Sequence, residues 1–437
     1  MAREIASRRR NGGGDEGQAS SRSNRRTSAH DSGSVRRNYS SRPPAPRPSF
    51  VVVVVVAIAF VGFCLVNVRL ATRLGEGGAG AGGVTSSHPP PSRGDATGGE
   101  IAPSPAAAAA RDRDANDDRV LAHFRRAGVD LDAASMRRLP TWSEIESLIG
   151  TEAVVLGLDK CEDFRENVPP LRRMLGSAGM FNSGTNLVTS LMKANCVIPE
   201  RFEKYGPNAT KEQYGIRWQC PWGKHTPVQL RHDHLAPKAK DQNADDCLPI
   251  VTIRNPFTWM KSMCRLPYSA IWDRRDSGAG RKDVCPHLVY ADSPSGVRMP
   301  VPLEFKFSGH SLSYDSLAHL WNEWYAGYWR NADGFPFLMV RLEDLVFRQY
   351  ETTRIICECA GGAVAPEDDF KYIVNSAKIG PAHGKKIDRT DMVDAWVKYG
   401  KPMAARAEFS DLDYDAAVDF VSRELMEKMG YKYPPSK

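Results

Sequence analysis

An uncharged apolar run near the N-terminus divides this chain of 437 residues into parts that cannot share one core. Residues 50–68 contain six consecutive Val and no charged side chain. About 20 apolar residues are needed to cross the hydrocarbon core of a bilayer, so the run predicts a transmembrane anchor. A cleaved signal peptide is the alternative. It is disfavoured because such peptides start close to the N-terminus, whereas 49 residues precede this run.

The charge on the two sides of the anchor predicts its orientation. Residues 1–49 carry eleven Arg against four acidic residues, and this excess accounts for the whole formal net charge of +7. Because Arg and Lys are enriched on the cytoplasmic side of membrane helices, we expect a single-pass type II protein with a cytosolic N-terminus. The basic tail is poor in apolar residues and is predicted to be disordered. We expect no nucleic-acid binding, since membrane orientation explains the Arg residues.

The chain beyond the anchor is predicted to lie in an oxidising lumen. Residues 69–150 are interpreted as a stem, rich in Gly, Ala, Pro and Ser and ending in short helices over 119–149, and 151–437 as the lumenal domain. Apart from Cys64 in the anchor, eight cysteines allow up to four disulfides, whose pairing the sequence does not give. Asn208-Ala-Thr210 is a glycosylation motif and predicts a glycoprotein. The absence of a Cys-x-x-Cys pair argues against a metal site.

The lumenal part alternates apolar runs with amphipathic runs. This pattern predicts an α/β fold in which a parallel sheet is flanked by helices on both faces. A helix rich in aromatic residues over 319–329 is expected to be core rather than a sugar platform. The predicted strands are 174–181, 248–253 and 335–340, and the other predicted helices are 185–194, 257–264, 348–360 and 413–429.

A glycine-containing loop follows the first predicted strand. Gly179-Met-Phe-Asn-Ser-Gly184 precedes a helix, and backbone N–H groups in such a loop can close around an anion. The spacing matches the start of a Walker loop, but Thr185 and Asn186 stand where Lys and Ser or Thr would be required. We therefore expect a phosphate cradle that does not hydrolyse ATP or GTP.

A second phosphate-binding pattern follows the second predicted strand. Arg254 comes directly after it, and Pro256 starts a helix that carries Ser262. A guanidinium at a strand end offers a planar fork for phosphate, and Ser262 lies about two turns further along, where it can share the same anion.

These two patterns together resemble the nucleotide signatures of sulfotransferases that use 3′-phosphoadenosine 5′-phosphosulfate (PAPS). Arg341-Leu-Glu-Asp-Leu345 and Gly430-Tyr431 are similar to later elements of that family, so the resemblance covers roughly 171–437. It implies a P-loop NTPase-like sulfotransferase fold and PAPS as co-substrate, with no metal. The 5′-phosphosulfate would be held by Ser183, Gly184, Thr185 and Asn186, and the 3′-phosphate by Arg254 and Ser262. The anchor and stem match the Golgi branch, whose acceptors are glycan or protein hydroxyls.

The chain departs from the family at one position. Asn182 stands where a basic residue usually neutralises the leaving phosphate, so Lys224 or Lys193 is expected to replace that charge. The resemblance implies a base between the two nucleotide motifs, and we predict His225, with His232 and His234 as alternatives. Lys385 and Lys386 lie in a basic loop that resembles the family's nucleotide cover.

Two other functions stay open. The first is a Golgi glycosyltransferase, although the Asp-x-Asp patterns at 112–114 and 411–415 lie away from predicted strand ends. The second is a sulfotransferase-like protein without catalysis, because Asn182 brings no charge. Acceptor choice is assigned to loops such as 265–318.

Overall fold

The structure, a computed structural model, describes residues 118–236, 239, 242–274, 285–290, 297–307, 309–331, 334–375 and 390–436. The predicted tail, the anchor over 50–68 and most of the predicted stem lie outside these residues. Within the described ranges, no helix has both the length and the apolar character needed to span a membrane.

Helices and strands alternate along the described chain. The helices are residues 118–126 (α1), Ala133–Arg138 (α2), Trp142–Ile149 (α3), Cys161–Asn167 (α4), Thr185–Asn195 (α5), Pro199–Tyr205 (α6), Pro256–Arg265 (α7), Leu317–Trp329 (α8), Leu342–Phe347 (α9), Gln349–Cys359 (α10), Met392–Gly400 (α11), Pro402–Arg406 (α12), Asp411–Phe420 (α13) and Arg423–Lys428 (α14). The strands are Val155–Leu156 (β1), Met174–Gly179 (β2), Cys196–Val197 (β3), Ile216–Arg217 (β4), Cys247–Ile253 (β5), Ala270–Trp272 (β6), Leu303–Phe307 (β7), His310–Tyr314 (β8), Leu338–Arg341 (β9) and Ala363–Val364 (β10).

The central sheet has five strands in the order β1-β9-β5-β2-β4. β9, β5, β2 and β4 are parallel, and β1 pairs with β9 in the antiparallel sense. Helices flank this sheet, so the predicted mixed α/β architecture with a mostly parallel sheet is confirmed. A two-stranded sheet (β10-β3) and a three-stranded antiparallel sheet (β6-β7-β8) complete the topology of the described residues.

Both faces of the central sheet are buried. Met174 and Ala178 of β2 and Val251 of β5 pack in one hydrophobic cluster, whereas Leu175 and Ile250 of the same strands pack in another. Successive side chains of a strand point to opposite faces. Strands covered on both faces are therefore largely apolar, with Ser177 and Thr252 as buried polar exceptions, which explains why these runs were visible in the sequence.

The helices before residue 151 agree with the expectation, and one later helical region differs from it. Phe124 of α1 and Trp142 of α3 pack with Trp396 of α11 in a third cluster, so folded structure begins before residue 151. The single helix expected over 413–429 is two helices, because Ser422 starts α14 by accepting a hydrogen bond from the backbone N–H of Leu425.

Three disulfides hold the periphery to the core. Cys161–Cys359 and Cys196–Cys357 tie α4 and β3 to α10, and Cys264–Cys285 ties the end of α7 to the segment at 285–290. The expectation of disulfides is confirmed for these six cysteines. Cys220 and Cys247 are buried as free thiols, and both lie against Gly176, whose missing Cβ leaves room for the Cys220 backbone and the Cys247 sulfur. Burial and the neighbouring Cys247 raise the pKa of Cys220.

This pairing predicts a specific alkylation pattern. When the oxidised chain is unfolded in denaturant without reductant, iodoacetamide should modify Cys220 and Cys247 and leave the six paired cysteines unmodified. Peptide mass spectrometry reads out each position. A cross-linked Cys220–Cys247 peptide would contradict the pairing.

A buried charge cluster lies at the end of β9. Arg341 donates two hydrogen bonds to the carboxylate of Asp344, at 2.5 and 2.9 Å, and Arg348 donates a third at 2.8 Å. The two guanidiniums also bond the carbonyls of Glu152, Met429 and Gly150, so the cluster joins three distant parts of the chain. The Arg-Leu-Glu-Asp-Leu motif therefore has a structural role at this position.

Removing the shared carboxylate should destabilise the fold strongly. Asp344→Ala leaves two buried guanidiniums without their partner, which costs about 3–5 kcal/mol. Glu358→Ala is the matched control, since it removes a carboxylate from an i,i+4 pair with Arg354 in which both side chains are about half exposed. Its expected cost is below about 1 kcal/mol. Urea unfolding of both variants measures the difference, and equal losses would contradict this account.

Candidate functional site

The glycine loop lies at the carboxyl ends of the parallel strands, as its position after a strand predicted. β2 and β5 pair so that Gly179 lies beside Thr252. A Cβ at Gly179 would lie 2.5 Å from the Thr252 hydroxyl and 2.6 Å from that of Ser183. At Gly184, where φ is 98°, a Cβ would meet Leu342 at 2.6 Å. Both glycines are thus required for the loop to close tightly against its neighbours.

The loop ends at the N-terminus of α5. Ser183 is fully buried, and its hydroxyl bonds the Met180 carbonyl at 2.7 Å and Thr252 Oγ1 at 3.0 Å. Gly184 precedes the helix, and no side chain caps the first turn. The first N–H groups of an α-helix have no partner within the helix and carry a partial positive charge. The start of α5, with Thr185 and Asn186, can therefore receive an anion.

Asn182 occupies the left-handed backbone region, with φ of 62°. Its side-chain amide donates to the carbonyls of Leu266 at 3.0 Å and Ser262 at 3.3 Å, both at the end of α7. The side chain thus joins the glycine loop to the second motif. Asn tolerates this backbone region better than most residues, because its short polar side chain bonds locally.

Arg254 and Asn182 bring the two motifs into direct contact. The Arg254 guanidinium donates to the Asn182 carbonyl at 3.1 Å and to Thr258 of α7, at 2.9 Å to the hydroxyl and 2.6 Å to the carbonyl. Its five N–H groups are not exhausted by these three bonds. Ser262 lies in the same helix and is 7% exposed. That Arg254 and Ser262 share one phosphate stays a prediction.

Lys224 lies beside the first turn of α5. Its ammonium donates to Asn186 Oδ1 at 2.9 Å and lies 3.4 Å from the centroid of the Trp218 ring. Burial lowers the pKa of Lys224 to about 7, the Cys220 thiol opposing this shift and Lys193 adding to it. Lys193, the other candidate cation, instead pairs with Glu212 at 2.8 Å further along α5.

His225 contacts the same loop at the Gly179 carbonyl. Its Nδ1 lies 2.6 Å from the Gly179 carbonyl, which can only accept, so Nδ1 carries the proton. The ring packs on Phe181 with a centroid distance of 4.1 Å. Burial lowers the pKa of His225 to about 3, with Lys224 adding to the shift and the bond to Gly179 opposing it. The neutral ring therefore presents Nε2 as a proton acceptor.

Helix α8 fixes the backbone of these segments. Trp321 donates to the Arg254 carbonyl at 3.1 Å, Trp324 to the His225 carbonyl at 3.3 Å and Tyr325 to the Thr252 carbonyl at 2.9 Å. All three rings are at most 1% exposed, which confirms that the aromatic helix is core. The indole N–H and phenol O–H groups of these rings nevertheless hold the backbone of the site in place, a role that helical spacing alone did not indicate.

The remaining candidates lie elsewhere. His232 is exposed, and the ring of His234 faces His310 at 6.4 Å. Lys385 and Lys386 fall outside the described residues. The carboxylate of Asp413 accepts from the Ser410 hydroxyl and from the Leu288 N–H, while Asp411 bonds Arg406. Among the described residues, no group of three or more His, Cys, Asp or Glu side chains is placed to hold a metal ion.

Sequence inspection missed three contributors to the site. Trp218, Phe181 and Thr258 contact Lys224, His225 and Arg254, respectively. The Trp218 contact joins residues six positions apart, and the Phe181 contact joins two separate loops, so neither produces a recognisable spacing. Thr258 stands four residues after Arg254, which is the one signal that a helical pairing could have given.

Comparison with known proteins identifies no relative: no family model, no curated protein and no solved structure matches this chain.

The buried Lys224 predicts a pH-dependent stability. Its pKa is about 7 in the folded chain and near 10.5 when exposed, so between these values the unfolded chain binds more protons. Stability therefore rises with pH in this window. The free energy of unfolding of wild type minus that of Lys224→Met should increase from pH 7 to 9, by at most about 1.4 kcal/mol per pH unit. A difference that is constant with pH would contradict the burial of this ammonium.

Proposed function

We propose that this chain transfers a sulfuryl group from PAPS to an acceptor hydroxyl in the Golgi lumen. The observation that carries the proposal is the convergence of four groups on one loop. The start of α5 lies within residues 179–186, and Arg254, Lys224 and His225 lie against them from two other parts of the sequence. The chemistry of these groups supports an anion site, and the resemblance of Ser183–Asn186 and of Arg254 and Ser262 to the PAPS signatures supplies the identity of the donor.

The site fits a nucleotide with phosphates at two positions. The helix start and Lys224 form one cationic region, and Arg254 with Ser262 forms a second on the other side of Asn182. A divalent metal is not needed to hold the anion there. The Walker Lys and hydroxyl that a magnesium nucleotide requires are replaced by Thr185 and Asn186. Two separate phosphate positions favour a 3′,5′-bisphosphate over ATP.

PAPS, when bound, supplies an activated sulfuryl group on its 5′-phosphate. His225 Nε2 accepts the proton of the acceptor hydroxyl as the new oxygen–sulfur bond forms and the bond to the 5′-phosphate oxygen breaks. The Nδ1 bond to Gly179 holds the ring in the tautomer that this step requires. Anionic groups beside the imidazole raise its pKa from the low value of the free chain, which makes it a stronger base in the complex.

Lys224 supplies the charge that Asn182 lacks. A phosphate beside its ammonium favours the charged form and raises its pKa above 7, so the cation is present when the leaving phosphate gains charge. The Asn182 side-chain amide instead donates a hydrogen bond to the Leu266 carbonyl at the end of α7. The departure from the family pattern therefore moves the cation to a neighbouring segment of the chain and does not remove it from the site.

The base assignment predicts a large and selective loss of activity. With ³⁵S-labelled PAPS and a mixed glycan acceptor, His225→Gln should reduce the turnover number about 10²–10⁴-fold, as expected for loss of a general base. The affinity for adenosine 3′,5′-bisphosphate should change little. His232→Gln is the matched control, since that imidazole is exposed, and it should retain activity. Equal turnover in both variants would remove His225 from the mechanism.

One alternative has an observation in its favour. Because the Asn182 amide is bonded to α7, the chain could bind adenosine 3′,5′-bisphosphate without transferring sulfate. In that case wild type binds the bisphosphate tightly but yields no labelled product with any glycan or tyrosyl peptide. Restored transfer in Asn182→Lys would then identify the missing charge.

A further inference from the structure

The segment after α7 places an aromatic side chain on the glycine loop. Tyr268 stacks on Phe181 with ring centroids 4.6 Å apart and planes 12° apart. Phe181 in turn packs on His225. Three rings therefore run outward in series from the proposed base. Tyr268 is the outermost and is 37% exposed, so it forms the boundary between this part of the site and solvent.

The backbone of Tyr268 is strained. Its φ is 54°, a left-handed conformation that costs about 1–2 kcal/mol for a residue with a Cβ. The turn around it is closed by a hydrogen bond from the Ala270 N–H to the Pro267 carbonyl at 3.0 Å. Strained residues that the surrounding structure maintains are concentrated at binding and active sites. This observation singles out Tyr268 among the exposed aromatic residues.

A cavity of about 700 Å³ begins three residues further along the chain. Its floor is a cross-strand row of the three-stranded sheet, formed by Ile271, Glu304 and Ser313. Trp272 and Tyr290 also line it. Three residues of extended chain span at most about 10–11 Å, so the first lining residue, Ile271, lies within that distance of Tyr268.

The cavity offers both apolar and polar contacts. Trp272, Tyr290 and Ile271 present apolar surface, and the polar lining comprises Asp273, Arg274, Glu304 and Ser313. Glu304 is anionic, because hydrogen bonds from Ser311 and Lys306 lower its pKa. Two carboxylates against one guanidinium give the described lining no excess of positive charge. Such a mixture suits a ligand with many hydroxyls, apolar C–H faces and no negative charge.

We propose that the acceptor is an uncharged oligosaccharide whose reacting sugar packs on Tyr268 and whose further sugars occupy this cavity. The inference rests on the proposed function, and it adds the class of acceptor and the residues that select it. Tyr268 acts on acceptor binding, while His225 acts on the chemical step. Peptide acceptors, which lack a run of linked hydroxyl-bearing rings, do not fit this arrangement.

The experiment uses the full-length chain, ³⁵S-labelled PAPS and two matched acceptor series. One series is neutral oligosaccharides from one to six sugars, and the other is oligouronates of equal length, with tyrosyl peptides as a third class. Neutral acceptors should be sulfated, and their KM should fall with each added sugar until the cavity is filled. Preference for uronates or for peptides would overturn the proposal.

Two pairs of variants test which residues determine the acceptor KM and its dependence on acceptor length. Tyr268→Ala should raise the acceptor KM about tenfold, the loss of one aromatic contact of about 1.4 kcal/mol, while the KM for PAPS stays constant. Tyr268→Phe should restore the acceptor KM. Ser313→Trp fills the cavity from an exposed floor position and should abolish the dependence of KM on length. Leu312→Trp, at an exposed position on the opposite face of the same strand and outside the lining, should preserve it.

The outcomes separate this proposal from the one on which it rests. A wild-type chain that neither binds adenosine 3′,5′-bisphosphate nor transfers label overturns the proposed function. A chain that transfers label, but whose Tyr268→Ala and Ser313→Trp variants keep the wild-type acceptor KM and length dependence, overturns only the acceptor site. Bisphosphate binding without transfer to any acceptor contradicts both.

Discussion

The backbone pairing of β2 with β5 determines where every candidate group lies. Six residues of β2 pair in parallel register with β5, and this pairing ends both strands at the same edge of the sheet. The glycine loop and Arg254 consequently leave the sheet side by side. On the other side of β2, the Gly179 N–H donates to the Lys224 carbonyl at 2.8 Å, which brings Lys224 and His225 to the same edge. A shift of one residue in this register would turn the side chains of β5 to the opposite faces and separate the two motifs.

Asn182 has two roles in the glycine loop: its backbone adopts the left-handed conformation, and its side chain joins the loop to α7. The loop needs a left-handed residue at this point, and Asn provides it while bonding two carbonyls at the end of α7. A long cationic side chain here would lose those bonds and meet a higher backbone cost. Lys224, held between Trp218 and Asn186, is the neighbouring cation and enters from a different segment. In the proposed mechanism, Lys224 supplies the positive charge that Asn182 does not bring.

The parts of the fold that could be predicted from sequence are those specified by local pattern. β2 and β5 are mostly apolar because both faces are buried, and the helices that follow begin at Thr185 and Pro256, where the sequence places a loop glycine and a proline. The break between α13 and α14 escaped prediction because Ser422 caps a helix within an otherwise amphipathic run.

The candidate site was predictable only in part. The loop residues and Arg254 stand in a recognisable local order. The contacts that set the orientation and the pKa values of the site side chains, however, join residues that are far apart in the sequence or unrelated by a regular spacing. Trp218 on Lys224, Phe181 on His225 and α8 above the loop backbone depend on strand order, which one sequence does not specify. The lowered pKa values of Lys224 and His225 result from burial in the tertiary structure, so they could not be predicted from the sequence either.

The central claim is that two cationic regions on either side of Asn182 hold a nucleotide with a 3′- and a 5′-phosphate. Calorimetric titration of the full-length chain with adenosine 3′,5′-bisphosphate and with adenosine 5′-monophosphate, in the absence of divalent metal, tests it most directly. The account predicts that the bisphosphate binds at least about tenfold more tightly, because a charge-assisted bond to Arg254 is worth about 1.5–3 kcal/mol. Equal affinity for the two nucleotides, or binding that requires magnesium, would contradict it.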